Sequence, residues 1–485
     1  MDQDQPFRWG VLLIVSMAIF ILVIDTTIMN VSISALVADL NTEVSTIHSI
    51  ISIYTLVMAA FMLIGAKLQD ILGRKRTFLI GAAIYGVGTF TAAISQNAAM
   101  LLFGWSILEG IGAVMMLPAT ATFITDTYEG RDRAVAFGIW GGIAAAASAF
   151  GPIVGGYLTT FHTWRWAFAI ELVVVILIFI LHHLLKETIP TTKWKNFDLG
   201  GALLSVFGLL ILVFGILMIK EPADWGMVPL MVMGGFLLLI GFYLWERSRV
   251  KKQRDVLVDV TIIPERSFFA GNVVATGLNL VIAGFLFIFP LFYQNVTGAS
   301  AYETGIVLLP MSIAVFLFSI FGAKFASWFE PKYVLLGGIL LTGGGLAALH
   351  DVFSLTTVAE DIFFGSLVFG TGLGIVLSQV TNLTLSSIRG ERQTDASGIY
   401  NTTRQLGSSL GTVIIGIVLA FGFALGLISG VSGTSTISGY EAQWVTGITD
   451  GAVNQGMEWA FIAMILVIVV MFISALFIRK TGKVT

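Results

Sequence analysis

Residues 51–88 read ISIYTLVMAAFMLIGAKLQDILGRKRTFLIGAAIYGVG, two apolar runs joined by a loop that carries Lys67, Arg74, Lys75 and Arg76. A helix rises about 1.5 Å per residue and the hydrocarbon core of a bilayer is about 30 Å thick, so roughly 20 apolar residues cross it. Each run therefore predicts one crossing, and the cationic loop marks the side on which the chain turns back. Outward from this pair the same alternation repeats to both ends of the chain. The predicted spans are 10–33, 48–66, 77–95, 99–124, 134–158, 164–185, 198–219, 227–246, 268–293, 302–322, 332–350, 361–386, 396–428 and 457–479, fourteen in all. The first, built on Val11 to Val31, is longer than a signal-peptide core and lacks a small-residue cleavage pattern, so it reads as an uncleaved span.

Composition agrees with a lipid environment. Of the 485 residues 56% are hydrophobic and 11% charged, too few charges to cover a water-soluble surface, where about 25% is usual. The 53 glycines recur inside the apolar runs, as closely packed membrane helices require. The expected fold is an all-α polytopic membrane protein. With a net charge of -3 and no basic recognition element, nucleic-acid binding is excluded. There is no cysteine, hence no disulfide framework or thiolate metal site. No P-loop GxxxxGK[ST], catalytic triad or zinc motif is present, so the reading has no enzyme, no cofactor and no metal.

The cations test the span count independently. With a cytoplasmic N-terminus, 23 of the 26 Lys and Arg fall on the cytoplasmic side; Arg165 and Lys220 fall outside and Arg404 lies within a span. Shifting the count by one helix scrambles that asymmetry. The expectation is a multi-pass plasma-membrane protein with both termini cytoplasmic, in contact with the bilayer and monomeric. Residues 1–190 are expected to form a six-helix bundle, 191–261 two inserted helices and a basic cytoplasmic linker, and 262–485 a second six-helix bundle with an external loop at 429–456.

Several stretches have a readable physical purpose. In GAKLQDILGRKRT, Gly65 to Thr77, Gly65 permits close helix approach, Asp70 can cap or pair, and Gly73 makes the turn before Arg74. An ordinary positive-inside loop accounts for the charges but not for the Gly and Asp spacing. In AFGPIVGGYL, Ala149 to Leu158, Pro152 bends the helix while Gly151, Gly155 and Gly156 admit a neighbour. In IDTTIMNVS, Ile24 to Ser32, Asp25 is a carboxyl in lipid, a functional candidate by default, with Thr26, Thr27 and Asn30 at hand to hydrogen-bond it. The competing reading is a structural acid satisfied by those neighbours. Glu109 lies about 15 Å into the fourth span, near the midplane. Glu171 lies in the sixth span, either in the same region or at the outer interface near Trp164. The only Lys or Arg in those spans is Arg165 at the outer end of the sixth, and like charges sharing a low-dielectric site cannot all be ionised. The five histidines fall near span ends and read as interfacial.

The first of these stretches resembles the loop signature of the major facilitator superfamily, the second its antiporter motif, and the third the first-helix motif of its fourteen-helix drug:proton antiporters. WRWAF (Trp164 to Phe168), FPLFYQNVTGASAYETGIVLLP (Phe289 to Pro310) and SGIYNTTRQLGSSLG (Ser397 to Gly411) extend the resemblance over nearly the whole chain. It implies a latch in which Asp70 faces the start of helix 13 and Arg74 pairs with Asp126. It also implies efflux of a drug-like small molecule in exchange for protons carried by Asp25; the added acids extend this expectation to a lipophilic, cationic substrate, to Glu109 as a second proton carrier, and to a cavity lined by Asp25, Asn30, Trp105, Glu109 and Glu171. Arg404 in the helix 13 motif either snorkels to the cytoplasm or contacts the latch. The chain departs from the pattern where the family has Arg at Trp105, Gln at Glu109 and Asn at Glu171. Uptake or exchange of a metabolite on the same fold, and a non-transporting membrane sensor, are the alternatives.

Overall fold

A computed structural model describes residues 9–128, 130–187, 190, 192–220, 225–350, 352–354, 357–388, 392–430 and 450–479. These are helices joined by turns. A helix lies at every predicted span: α1 (Trp9–Val31), α2 (Val44–Leu72), α3 (Arg74–Ala93), α4 (Ala98–Thr127), α5 (Gly130–Phe161), α6 (Arg165–Leu181) and α7 (Leu199–Leu217). Then follow α8 (Val228–Lys251), α9 (Arg266–Thr297), α10 (Leu309–Trp328), α11 (Pro331–His350), α12 (Ala359–Leu385), α13 (Gln393–Gly430) and α14 (Asp450–Leu476). Thirteen of the helices are long and apolar enough to cross a membrane. The exception is α3, whose 20 residues begin with Arg74, Lys75 and Arg76 and include small and polar residues. It nevertheless packs on both α4 and α6.

Three predicted boundaries move. Span 10 begins as a separate short helix, Ala301–Val307, capped by Ser300 and Glu303, and restarts at Leu309 because Pro310 is favoured in a first turn. The predicted external loop 429–456 is shortened, since α14 already begins at Asp450; residues 431–449 of that loop lie outside the described residues. Helix α2 overruns its span to Leu72 and stops at Gly73, whose φ of 87° places it in the region that favours glycine. Of the counted cations, Arg8, Arg389, Lys480 and Lys483 also lie outside the described residues.

Helices α1 to α6 pack on one another, and α9 to α14 do the same. The two sets meet where α2 crosses α13 and where α5 crosses α10 and the short Ala301–Val307 helix. The α7–α8 pair packs on α2 and α13 from the side. Its helix α8 exposes Leu230, Met233, Phe236, Leu237 and Leu244, an apolar flank for which lipid is the natural solvent.

Small residues set how closely the helices approach. A Cβ on Gly65 would lie 2.1 Å from the Val114 carbonyl oxygen of α4. On Gly151 it would lie 1.9 Å from Thr27 Oγ1 of α1, on Gly155 2.8 Å from Ile28 Cα, and on Gly156 2.4 Å from the Ala301 carbonyl oxygen. The motif in α5 thus seats that helix against α1 on one side and against the second set of helices on the other.

Candidate functional site

The site is built on three helices of the first set. Asp25 stands in the middle of α1, Glu109 in α4 and Glu171 in α6, and one carboxylate oxygen from each lies within 4.8 Å of the others. Asp25 and Glu109 are fully buried and Glu171 is 1% exposed, which settles its position inside the bundle rather than at the interface. Each carboxyl reaches the same point because its helix presents it inward while neighbouring apolar residues face lipid or the core.

Helix α4 departs from α geometry here: residues Leu102–Glu109 form a π segment, a form that concentrates at functional sites. Trp105 and Glu109 both belong to it. Its approach to α3 is close, since a Cβ on Gly88 would lie 2.6 Å from the Gly104 carbonyl oxygen and 2.7 Å from the Glu109 nitrogen.

Trp105 is fully buried, and its indole N–H donates to Asp25 Oδ2 at 2.9 Å. The ring stacks on Tyr54 at 5.7 Å and meets Phe168 edge-on at 5.9 Å. Tyr85 donates to Glu171 Oε2 at 2.9 Å. The remaining oxygens, Asp25 Oδ1, both of Glu109 and Glu171 Oε1, are buried without a hydrogen bond, as is the Tyr54 hydroxyl. No cationic side chain acts on the three carboxyls among the described residues. Oxygen-rich, acidic and closed to water, the arrangement can hold protons or a small cation.

One expectation needs correction. Thr26 and Thr27 do not reach Asp25: their hydroxyls donate to the Val23 and Ile24 carbonyls of their own helix, at 3.0 and 2.9 Å. A threonine in a helix finds its own preceding turn before it finds a neighbour. Asn30 likewise donates to the Thr26 carbonyl at 2.8 Å. The five residues expected to line a cavity are buried. A groove of about 520 Å³ runs between α9, α13 and α14 beside Phe268, Asn272, Thr276, Thr403 and Val470.

The latch residues come together. Arg74 forms an ion pair with Asp126 at the end of α4. Asp70 shares a small cleft with Lys67, Leu257, Asp395 and Gly398, the last two at the start of α13. Arg404 is not part of this group; its guanidinium lies over the Tyr400 ring at 5.6 Å, one turn along α13. Arg165 bridges Asp39 and the Ser95 carbonyl, both at 2.6 Å.

Sequence reasoning missed Tyr85 as the donor to Glu171 and Tyr54 as a neighbour of the Asp25 carboxyl, because a tyrosine in an apolar run carries no sign of the direction of its hydroxyl. It also misread His48. The ring is 3% exposed, its Nε2 lies 2.6 Å from the Thr412 carbonyl oxygen of α13, and it stacks on Phe287 at 4.0 Å. This histidine joins the two halves of the molecule instead of facing the interface; its place near a span end concealed the contact.

The chain is similar to several characterised proteins. It is 25% identical over 444 residues to the puromycin resistance protein pur8 of Streptomyces alboniger, covering 90% of this chain and 86% of that protein. The tetracenomycin C resistance and export protein of Streptomyces glaucescens is 28% identical over 422 residues, covering 85% of this chain and 76% of its own. The methyl viologen resistance protein SmvA of Salmonella typhimurium is 26% identical over 422 residues, covering 86% and 83%. In fold the chain is similar to a bacterial homolog of the human lysosomal transporter Spinster, with a TM-score of 0.61, 16% identity and 98% of both chains covered. The family model of the Major Facilitator Superfamily matches residues 15–412, which, with the helical architecture already in view, makes this multi-pass membrane chain a member of that family of transporters.

Proposed function

We propose that the protein is a secondary active efflux transporter that exports lipophilic, cationic small molecules in exchange for protons by alternating access. The observation that carries this reading is the buried trio of Asp25, Glu109 and Glu171, with one oxygen of each within 4.8 Å of the others and no cationic partner among the described residues. In a membrane helix an ionisable group without such a partner is costly, and its usual use is to carry an ion along the transport path. Relatives whose names record resistance and export support the efflux direction.

In this scheme Asp25 and Glu109 load and release protons, and Trp105 orients Asp25 by its hydrogen bond. Glu171, Asn30 and the aromatic rings around Trp105 meet the substrate when the halves part. Residues 1–190 and 262–485 act as the two moving bundles, with 191–261 as insertion and linker. Gly65, Asp70, Gly73, Arg74 and Asp126 form the latch, and Gly151, Pro152, Gly155 and Gly156 the sliding contact of α5. Arg404 braces α13 through Tyr400. The working form is a monomer in the plasma membrane with both termini cytoplasmic.

Purified protein in proteoliposomes with an imposed pH gradient tests the reading. The expected outcome is gradient-driven movement of an organic cation against its own gradient, abolished by Asp25→Asn, and by Glu109→Gln for cationic substrates only. Full gradient-driven transport by Asp25→Asn would remove Asp25 from coupling. Flux in the same direction as the protons would favour uptake over efflux.

A further inference from the structure

We propose that the Asp25–Glu109–Glu171 trio is also a binding site for a hard metal cation of the size of Na+ or Ca2+, which competes with protons for the same oxygens. The proposal rests on reading the trio as the ion-carrying site, and it adds a second ion to it.

The geometry argues for size. Three points no more than 4.8 Å apart fit within a circle of radius about 2.8 Å, close to the roughly 2.3–2.6 Å at which Ca2+ holds its oxygens. Mg2+, which sheds its water reluctantly, is disfavoured where three buried residues leave no room for a hydration shell. An organic cation does not fit the trio as it stands, because Asp25 and Glu109 are fully buried and Glu171 nearly so.

The donor set argues for kind. It is all oxygen, the chain having no cysteine and the described histidines lying elsewhere, so it suits a hard cation rather than zinc or copper. Two further buried hydroxyls stand beside the carboxyls with free lone pairs. Tyr54, buried and stacked on Trp105, faces the Asp25 carboxylate without forming a hydrogen bond of normal geometry. Thr89, also fully buried, stands in the same relation to Glu109. Glu109 itself has neither oxygen partnered. In a folded interior such groups are nearly always satisfied, and here a single cation at the centre satisfies several at once. The titratable groups facing it are the three carboxyls, Tyr54 and Tyr85, so proton and metal draw on one set of atoms.

Trp105, hydrogen-bonded to Asp25, is a built-in antenna for Tb3+, a luminescent stand-in for Ca2+. The test titrates Tb3+ into purified full-length protein in detergent at pH 8 with excitation of tryptophan. Saturable emission is expected, lost in Glu109→Gln and in Glu171→Gln, lost in Trp105→Phe, and weaker again at pH 5. Tyr54→Phe should weaken binding about tenfold, as removal of an outer contact does. Displacement by Ca2+ but not Na+ identifies the divalent ion, displacement by Na+ the monovalent one, and either supports the site. Circular dichroism and gel filtration confirm that each variant is folded. Absence of saturable emission in the unmodified protein, or emission unchanged by both glutamate substitutions, overturns the proposal. Proton-driven transport in proteoliposomes is scored separately: transport without metal binding sinks only the metal site, and metal binding without proton-driven transport sinks only the proton reading.

Discussion

At the scale of the residue, the informative contrasts are between acids that meet a cation and acids that do not. Asp259, in the linker before α9, accepts from the Thr261 backbone nitrogen at 2.9 Å, from Thr261 Oγ1 at 2.6 Å and from Arg392 Nε at 2.9 Å. Burial pulls its carboxyl upward, but the Thr261 and Arg392 donors outweigh that and hold it below its ordinary 3.8. The ionised form is therefore the one that the fold favours. Its stabilisation is complete above the unfolded value and is lost as pH falls through the lower folded value. Thermal denaturation in detergent should show Asp259→Asn less stable than the unmodified protein at pH 7. The gap should close as pH is taken below 3.8; a gap that widens toward acid would show that the Arg392 clasp contributes nothing.

At the scale of the element, helix contact in this protein depends on absent side chains. With little hydrophobic drive between helices in lipid, close van der Waals approach is what holds them. Gly65 brings α2 against the Val114 carbonyl of α4, where an added Cβ would lie 2.1 Å from a backbone oxygen that cannot rotate away. Gly65→Ala should cost about 1–3 kcal/mol, the usual range for overpacking. Gly141→Ala in α5 is the matched control, since a Cβ there meets nothing within 4 Å. A helix-interior Gly→Ala exchange without a clash should be neutral or stabilising by up to about 1 kcal/mol. Equal effects of the two substitutions on the melting temperature would discard close packing as the reason for Gly65. The π segment in α4 belongs to the same scale: its backbone packs on α2 and α3, while Trp105 reaches Asp25 of α1 and Phe168 of α6 and Glu109 reaches the carboxyls of both helices.

At the scale of the whole molecule, the two sets of helices are joined by contacts spread along α2 and α13, and along α5 and α10. At the end opposite the α2–α3 loop, Tyr302 donates its backbone N–H to Thr160 Oγ1 at 3.0 Å, and Gln294 donates to the Val31 carbonyl at 2.8 Å. Deeper, His48 and Ser52 of α2 meet Thr412 of α13 at 2.6 and 2.9 Å. If the halves rock about a central site, these contacts must break in every cycle. The chain lacks cysteine, so a Thr160→Cys, Tyr302→Cys pair supplies the only thiols. A short bifunctional thiol reagent with a reducible link should arrest transport, and reduction should restore it. Undiminished transport by the cross-linked protein would exclude opening at this end.

The sequence by itself determined the solvent, the positions of the crossings and the glycines that admit close neighbours, whereas the pairing of Arg74 with Asp126 came only with the family resemblance. The first three are properties of local composition and of spacing along one dimension: length of apolar run, side of a charge, size of a residue. It also supplied the three acids, but not their meeting. Whether Asp25, Glu109 and Glu171 converge depends on how α1, α4 and α6 are each rotated about their axes, and helices apolar on nearly every face carry no stripe that declares their orientation. For the same reason Tyr54 and Tyr85 were invisible as neighbours of the carboxyls, Thr26 and Thr27 were credited with a bond they spend on their own helix, and His48 was placed at the membrane surface. Only tertiary packing, with the π segment of α4 at its centre, decided that three carboxyls from three helices share one buried point and that Trp105 holds one of them.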